Sequence, residues 1–135
     1  MTDQEWQDLG RRAVACKHWR WMPGMLARYS ADAWYRTSEV DSVGIPVRVR
    51  PPNPRSAWPD LRDPATLGCL LALVREAYAD GGALWGGRVE VHQDHRTVFT
   101  AVIAYHKGNS LAHRALAISG RNDAEALVAA LEVAP

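Results

Sequence analysis

Cysteine is scarce, with two in 135 residues. Cys16 and Cys69 stand too far apart for the paired spacing of a structural zinc site, and two thiols make no disulfide framework. Lysine is nearly missing too: Lys17 and Lys107 are the only lysines among 16 basic residues. No apolar run reaches the roughly 20 residues that a membrane-spanning helix needs. The opening "MTDQEWQDLG" is acidic and polar, the reverse of a signal peptide's charged-then-apolar layout. A cytosolic protein, with no membrane association, is therefore expected. The sequence also lacks GxxxxGK[ST], GxGxxG and GxSxG, so no phosphate-cradling loop or nucleophile elbow is readable. No cofactor is expected.

What is present describes a folded chain. Hydrophobic residues make up 47% and charged residues 23%, and the length suits one domain spanning residues 1–135. A domain of this size buries roughly two thirds of its unfolded surface and folds without metal or disulfides. The net charge of +1 makes no strong claim on a polyanion, but its distribution is uneven. No acid occurs between Asp8 and Asp32, where Arg11, Arg12, Lys17, Arg20 and Arg28 lie. A second acid-free stretch, from Ser42 to Pro59, carries Arg48, Arg50 and Arg55. Arginine suits planar contacts with phosphate or carboxylate; the same bias, beside many alanines, also fits a GC-rich coding sequence.

Periodicity predicts an α+β fold: an antiparallel sheet of about four to six strands, packed by an N-terminal, a central and a short C-terminal helix. Thr2 and Glu5 have capping-box spacing before Trp6, Leu9, Ala13 and Cys16, and this first helix should end near Lys17 or His18. "WRW" alternates as a strand would, and Pro23-Gly24 has the order of a type II turn. "AWYRT" reads as a short strand, as does the alternation of Val43, Ile45, Val47 and Val49. The proline-rich segment 51–64 reads as a loop, pinned to the domain by Trp58. Asp63 and Pro64 open a central helix whose inward face carries Leu67, Leu70, Leu71, Val74, Ala77 and Tyr78, with Cys69 packed in it. A meander follows, turning at "QDHR" and "KGNS". Asn122 or Asp123 then caps a helix burying Ala124, Leu127, Val128 and Leu131, with the last residues frayed.

Three kinds of chemistry compete for the polar residues. His92, Asp94 and His95 are the tightest cluster of ionisable ligands, and imidazole with carboxylate can hold a divalent metal. A third protein ligand, from His106 or His113, would be needed, and a polar hairpin turn accounts for the same residues. Cys16 beside Lys17 and His18 has neighbours that could lower a thiol's pKa, although a packed cysteine accounts for it as well. Arginine with tryptophan can grip and stack single-stranded nucleic acid, but no known nucleic-acid-binding motif accompanies them, and this reading is not favoured.

Tryptophan is plentiful, six in all. Indoles are enriched at binding hot spots, and the stretch "CKHWRWMPGM" sets two of them beside basic charge. The candidate binding surface is Trp19, Arg20, Trp21, Met22, Met25, Arg48, Arg50 and Trp58, suited to a small planar anionic ligand or a partner's loop. The same stretch also serves as a corner between helix and sheet, and the two roles are compatible.

"AVACKHWRWMPGM", "PDLRDPATLGCLLALVREAY" and "AEALVAALEVAP" resemble segments of small proteins encoded by phages and prophages of GC-rich bacteria, a group with no known activity. The resemblance covers about a third of the chain and leaves residues 26–57 unmatched. It implies a protein that binds a host protein or a host-made small anionic ligand. The alternatives are a metal-dependent hydrolase or nuclease around His92, Asp94 and His95, and an assembly component forming homodimers through a sheet edge.

Overall fold

The computed structural model describes residues 1–38, 51–80, 85–94, 99–106 and 115–135. Among them, three helices and six strands form an α+β protein, with the strands in two antiparallel three-stranded sheets. The expected Val43–Val49 strand lies outside the described residues. The chain packs as two compact units: Met1–Ala15 with Trp19–Cys69, and Cys16–His18 with Leu70–Pro135.

The first unit opens with α1 (Asp3–Ala15). Its capping box is complete: the Glu5 N–H donates to Thr2 Oγ1 at 3.2 Å, and the Thr2 N–H donates back to Glu5 Oε2 at 2.6 Å. Residues 19–22 form no strand, because the chain turns at once. Met25 N–H donates to the Met22 carbonyl at 3.2 Å and Gly24 takes φ +91°, as the third position of a type II turn requires. Thr37 locks this corner. Its hydroxyl donates to the Met22 carbonyl at 2.5 Å, and its carbonyl accepts from Gly24 N–H at 2.9 Å.

The corner delivers the chain into β1 (Leu26–Arg28), the middle strand of the first sheet. On one side it pairs with β2 (Trp34–Arg36), on the other with β3 (Trp58–Pro59). The proline-rich segment thus supplies an edge strand of two residues, the location where a proline is tolerated. α1 lies against β3, and Gly10 permits the approach: a Cβ there would stand 2.8 Å from the Pro59 carbonyl oxygen. Leu9, Ala13, Met25, Leu26, Ala27, Ala57 and Leu61 form this unit's core.

α2 (Pro64–Asp80) contributes residues through Cys69 to the first unit and Leu70 onward to the second. Asp63 caps it as its position predicted, accepting from Thr66 N–H at 2.9 Å. Leu70, Leu73, Val74, Ala77 and Tyr78 are buried, while Leu67, Leu71 and Cys69 are half-buried.

In the second unit β4 (Trp85–Asp94), β5 (Phe99–His106) and β6 (Ala115–Gly120) form the expected meander in the order β4-β5-β6. Gln93 and Asp94, read from sequence as part of a turn, instead continue β4 opposite Thr100 and Phe99. α3 (Asp123–Glu132) packs on β5 and β6, capped by Asn122, whose side chain accepts from Glu125 N–H at 2.9 Å. Ala124, Leu127, Val128 and Leu131 are buried as the helical spacing predicted. Near the chain's end Ala134 is buried, and His18 Nε2 donates to the Pro135 backbone oxygen at 2.7 Å. No helix among the described residues is long and apolar enough to cross a membrane.

Candidate functional site

A cleft of about 340 Å³ opens in the first unit where α1, the β1–β2 hairpin and the residues after β3 converge. Trp6 and Trp58 contribute apolar walls, and Arg28, Arg62, Asp60 and Asp3 contribute charge. Sheet register explains part of the arrangement. Arg28 stands directly opposite Trp34 on one neighbouring strand and Trp58 on the other. Directly opposed residues share a face in an antiparallel ladder, so the cation lies in a row between two indoles. Helical spacing supplies another part, since Asp3 and Trp6 fall one turn apart on α1.

Asp60 organises the charges. Its side chain is only 6% exposed, and it accepts from Arg28 Nε at 2.9 Å, Arg62 Nε at 3.0 Å and the Arg62 N–H at 3.1 Å. Burial, the largest single influence, pushes its carboxyl pKa up, but the hydrogen bonds from Arg62 and Arg28 outweigh it and the pKa is lowered. The same contact, chiefly the Asp60 hydrogen bond, raises the Arg62 pKa. Arg28 Nη1 also donates to the Ala31 carbonyl at 3.0 Å, and Arg62 Nη1 reaches Asp3 Oδ1 at 2.8 Å. Behind the wall, the Arg11 guanidinium lies 5.6 Å from the Trp58 ring centroid, a cation–π distance.

The sequence-predicted binding residues divide. Trp58 lines this cleft. Trp19 and Trp21 do not; they pack edge to face with centroids 5.5 Å apart and ring planes at 84°. Trp19 Nε1 is buried with no hydrogen-bond partner among the described residues. Arg20 is exposed, Met22 is half-buried, and Met25 is fully buried in the core, its sulfur accepting from Met22 N–H. Arg48 and Arg50 lie outside the described residues. Sequence reasoning missed Trp6, assigned to the helix's inner face, and the set Arg28, Asp60 and Arg62. Arg28 had been visible only as one cation in an acid-free stretch. Nothing local marks a carboxylate 32 residues later as its partner.

In the second unit His92 is exposed on β4 and its Nε2 lies 2.9 Å from Glu90 Oε2, a neighbour on the same face. Asp94 holds its backbone place opposite Phe99, and His95 lies outside the described residues. Among the described residues no group of three or more His, Cys, Asp or Glu side chains gathers as a metal site would. Cys16 and Cys69 form no disulfide among the described residues; burial, and secondarily Asp63, pushes the Cys69 pKa up, and its Sγ rests 3.5 Å from the Pro23 carbonyl.

No family model, curated protein or solved structure matches the chain.

Proposed function

We propose that the chain is a non-catalytic binding protein of phage or prophage origin that acts in the host cytosol, its first unit taking a host-made small anionic ligand in the Trp6–Trp58 cleft. The observation that carries this reading is the pair of indole walls beside two guanidinium groups held by one buried carboxylate. Small-ligand sites are concave, with apolar or aromatic walls and a few placed polar groups. Arginines held in advance on a buried carboxylate spare the ligand the cost of ordering long side chains.

The electrostatics favour binding over proton chemistry. A general base works best with a pKa near the operating pH. Asp60 is held below its ordinary value and is occupied by both arginines, so it orients guanidinium groups and does not shuttle protons.

Native mass spectrometry tests the reading: incubate the protein with bacterial extract, repurify it, and weigh it without unfolding. An added mass of a few hundred daltons on the wild type, absent from a folded Trp6→Ala variant, is the expected result. A bare chain, or an adduct that Trp6→Ala retains, would overturn the cleft as the binding site.

A further inference from the structure

Two carboxylates hold Arg62, and they are held very differently. Asp60 is 6% exposed and receives three hydrogen bonds of 3.1 Å or less from Arg28 and Arg62. Asp3 is 88% exposed, and its carboxylate meets Arg62 Nη1 at 2.8 Å. It sits on the first residue of α1, at the rim of the cleft. The buried carboxylate is a fixture. The exposed one is held only by the kind of ion pair that water and salt loosen readily.

Resting on the binding function proposed above, we infer that Asp3 is a displaceable stand-in for a ligand carboxylate on Arg62, and that the cleft takes a flat, one- or two-ring aromatic monocarboxylate. With Asp3 swung aside, Arg28 and Arg62 face Asp60 alone, which leaves one uncompensated positive charge. One negative charge completes the cluster, so a monoanion fits better than a phosphate dianion. The planar guanidinium matches a carboxylate edge, and the two indoles provide walls for a ring. At about 340 Å³ the cleft lies near the lower end of ligand pockets, which limits the ligand to a compact ring system.

Isothermal titration calorimetry with 2-naphthoate and its neutral isostere 2-naphthamide tests the inference. Wild type should bind naphthoate at least about tenfold more tightly than naphthamide, as expected for a charge-assisted hydrogen bond. Asp3→Asn should tighten naphthoate about two- to fivefold, the strength of the exposed pair it removes. Arg62→Gln, shown to be folded by circular dichroism, should bind both probes alike. Equal affinities in wild type, weaker naphthoate binding by Asp3→Asn, or no binding of either probe at millimolar concentration would each overturn the ligand class. In those cases a Trp6-dependent adduct from bacterial extract would still uphold the cleft as a binding site, so the two conclusions fail separately.

Discussion

Arg36 and Asp63, 27 residues apart in the chain, meet fork to fork: Nη1 lies 2.7 Å from Oδ2 and Nη2 lies 3.0 Å from Oδ1. The same Oδ2 accepts from the Thr66 N–H and hydroxyl, so one carboxylate starts α2 and ties it to the end of β2. Arg36 Nη1 also donates to the Gly24 carbonyl at 2.8 Å, which brings the Pro23-Gly24 corner into the same knot.

The knot makes stability depend on acid. The Arg36 hydrogen bond, aided by Thr66, lowers the Asp63 pKa from 3.8 to about 2. A group whose folded pKa lies below its unfolded value stabilises the fold above the unfolded pKa. That contribution is lost as pH falls from 3.8 toward 2. Asp63→Ala should cost about 1–2 kcal/mol near neutral pH, the sum of a lost helix cap and an ion pair. Urea melts of both proteins across the acid range should show the difference shrinking in that window. A gap that stays constant from neutral pH down to pH 2 would rule out Asp63 as the titrating group.

Two helical glycines should respond to alanine with opposite signs. At Gly68 an added Cβ meets nothing within 4 Å, so Gly68→Ala should stabilise by about 0.5–1 kcal/mol through helix propensity. At Gly10 the Cβ would stand 2.8 Å from the Pro59 carbonyl oxygen and 3.2 Å from Trp58. There the propensity gain is outweighed, and thermal melting should move down. A Gly10→Ala protein that melts higher would show that α1 can lift off β3 at little cost.

Tyr78 in α2 donates its hydroxyl to the Ala130 carbonyl of α3 at 3.0 Å, inside the second unit. Both the ring and the bond are buried. Tyr78→Phe keeps the packing and removes the donor, so it should cost about 1 kcal/mol in a denaturant titration with little change in slope.

Asp60 and Asp3 give a second contrasting pair. Asp60→Asn leaves two arginines facing a neutral amide and should cost roughly 1–3 kcal/mol. Asp3→Asn removes an exposed pair and should cost less than about 1 kcal/mol. Equal loss in both variants, read from the same urea titration, would mean that Asp3 is as firmly held as Asp60.

The elements that announced themselves locally were legible. Thr2–Glu5, Asp63–Pro64 and Asn122 are caps, and a cap is defined by residues three apart that the sequence displays side by side. The type II corner at Pro23-Gly24 was readable for the same reason. The alternation in "WRW" misled, because a period of two over three residues is also what an edge-to-face indole pair entering a turn looks like. β3 was hidden because two residues ending in proline carry no strand signal; their pairing is set by β1 and α1. The cleft was hidden more deeply. Its charges come from Asp3, Arg28, Asp60 and Arg62, brought together by the sheet register and a helix start, relations no local pattern records.

Pro59 has a consequence beyond its place in the sheet. The amide of the next residue, Asp60, donates to the Leu26 carbonyl at 2.8 Å. Bonding alternates along an antiparallel edge, so the Pro59 nitrogen faces away from β1, outward. That outer side is covered by α1, whose Gly10 lies against the outward Pro59 carbonyl, and a helix can pack there because the ring leaves no ladder donor unpaired. β3 can therefore complete the first sheet with its outer side closed by α1, and the residue that makes the segment look least like a strand suits it to lie under a helix.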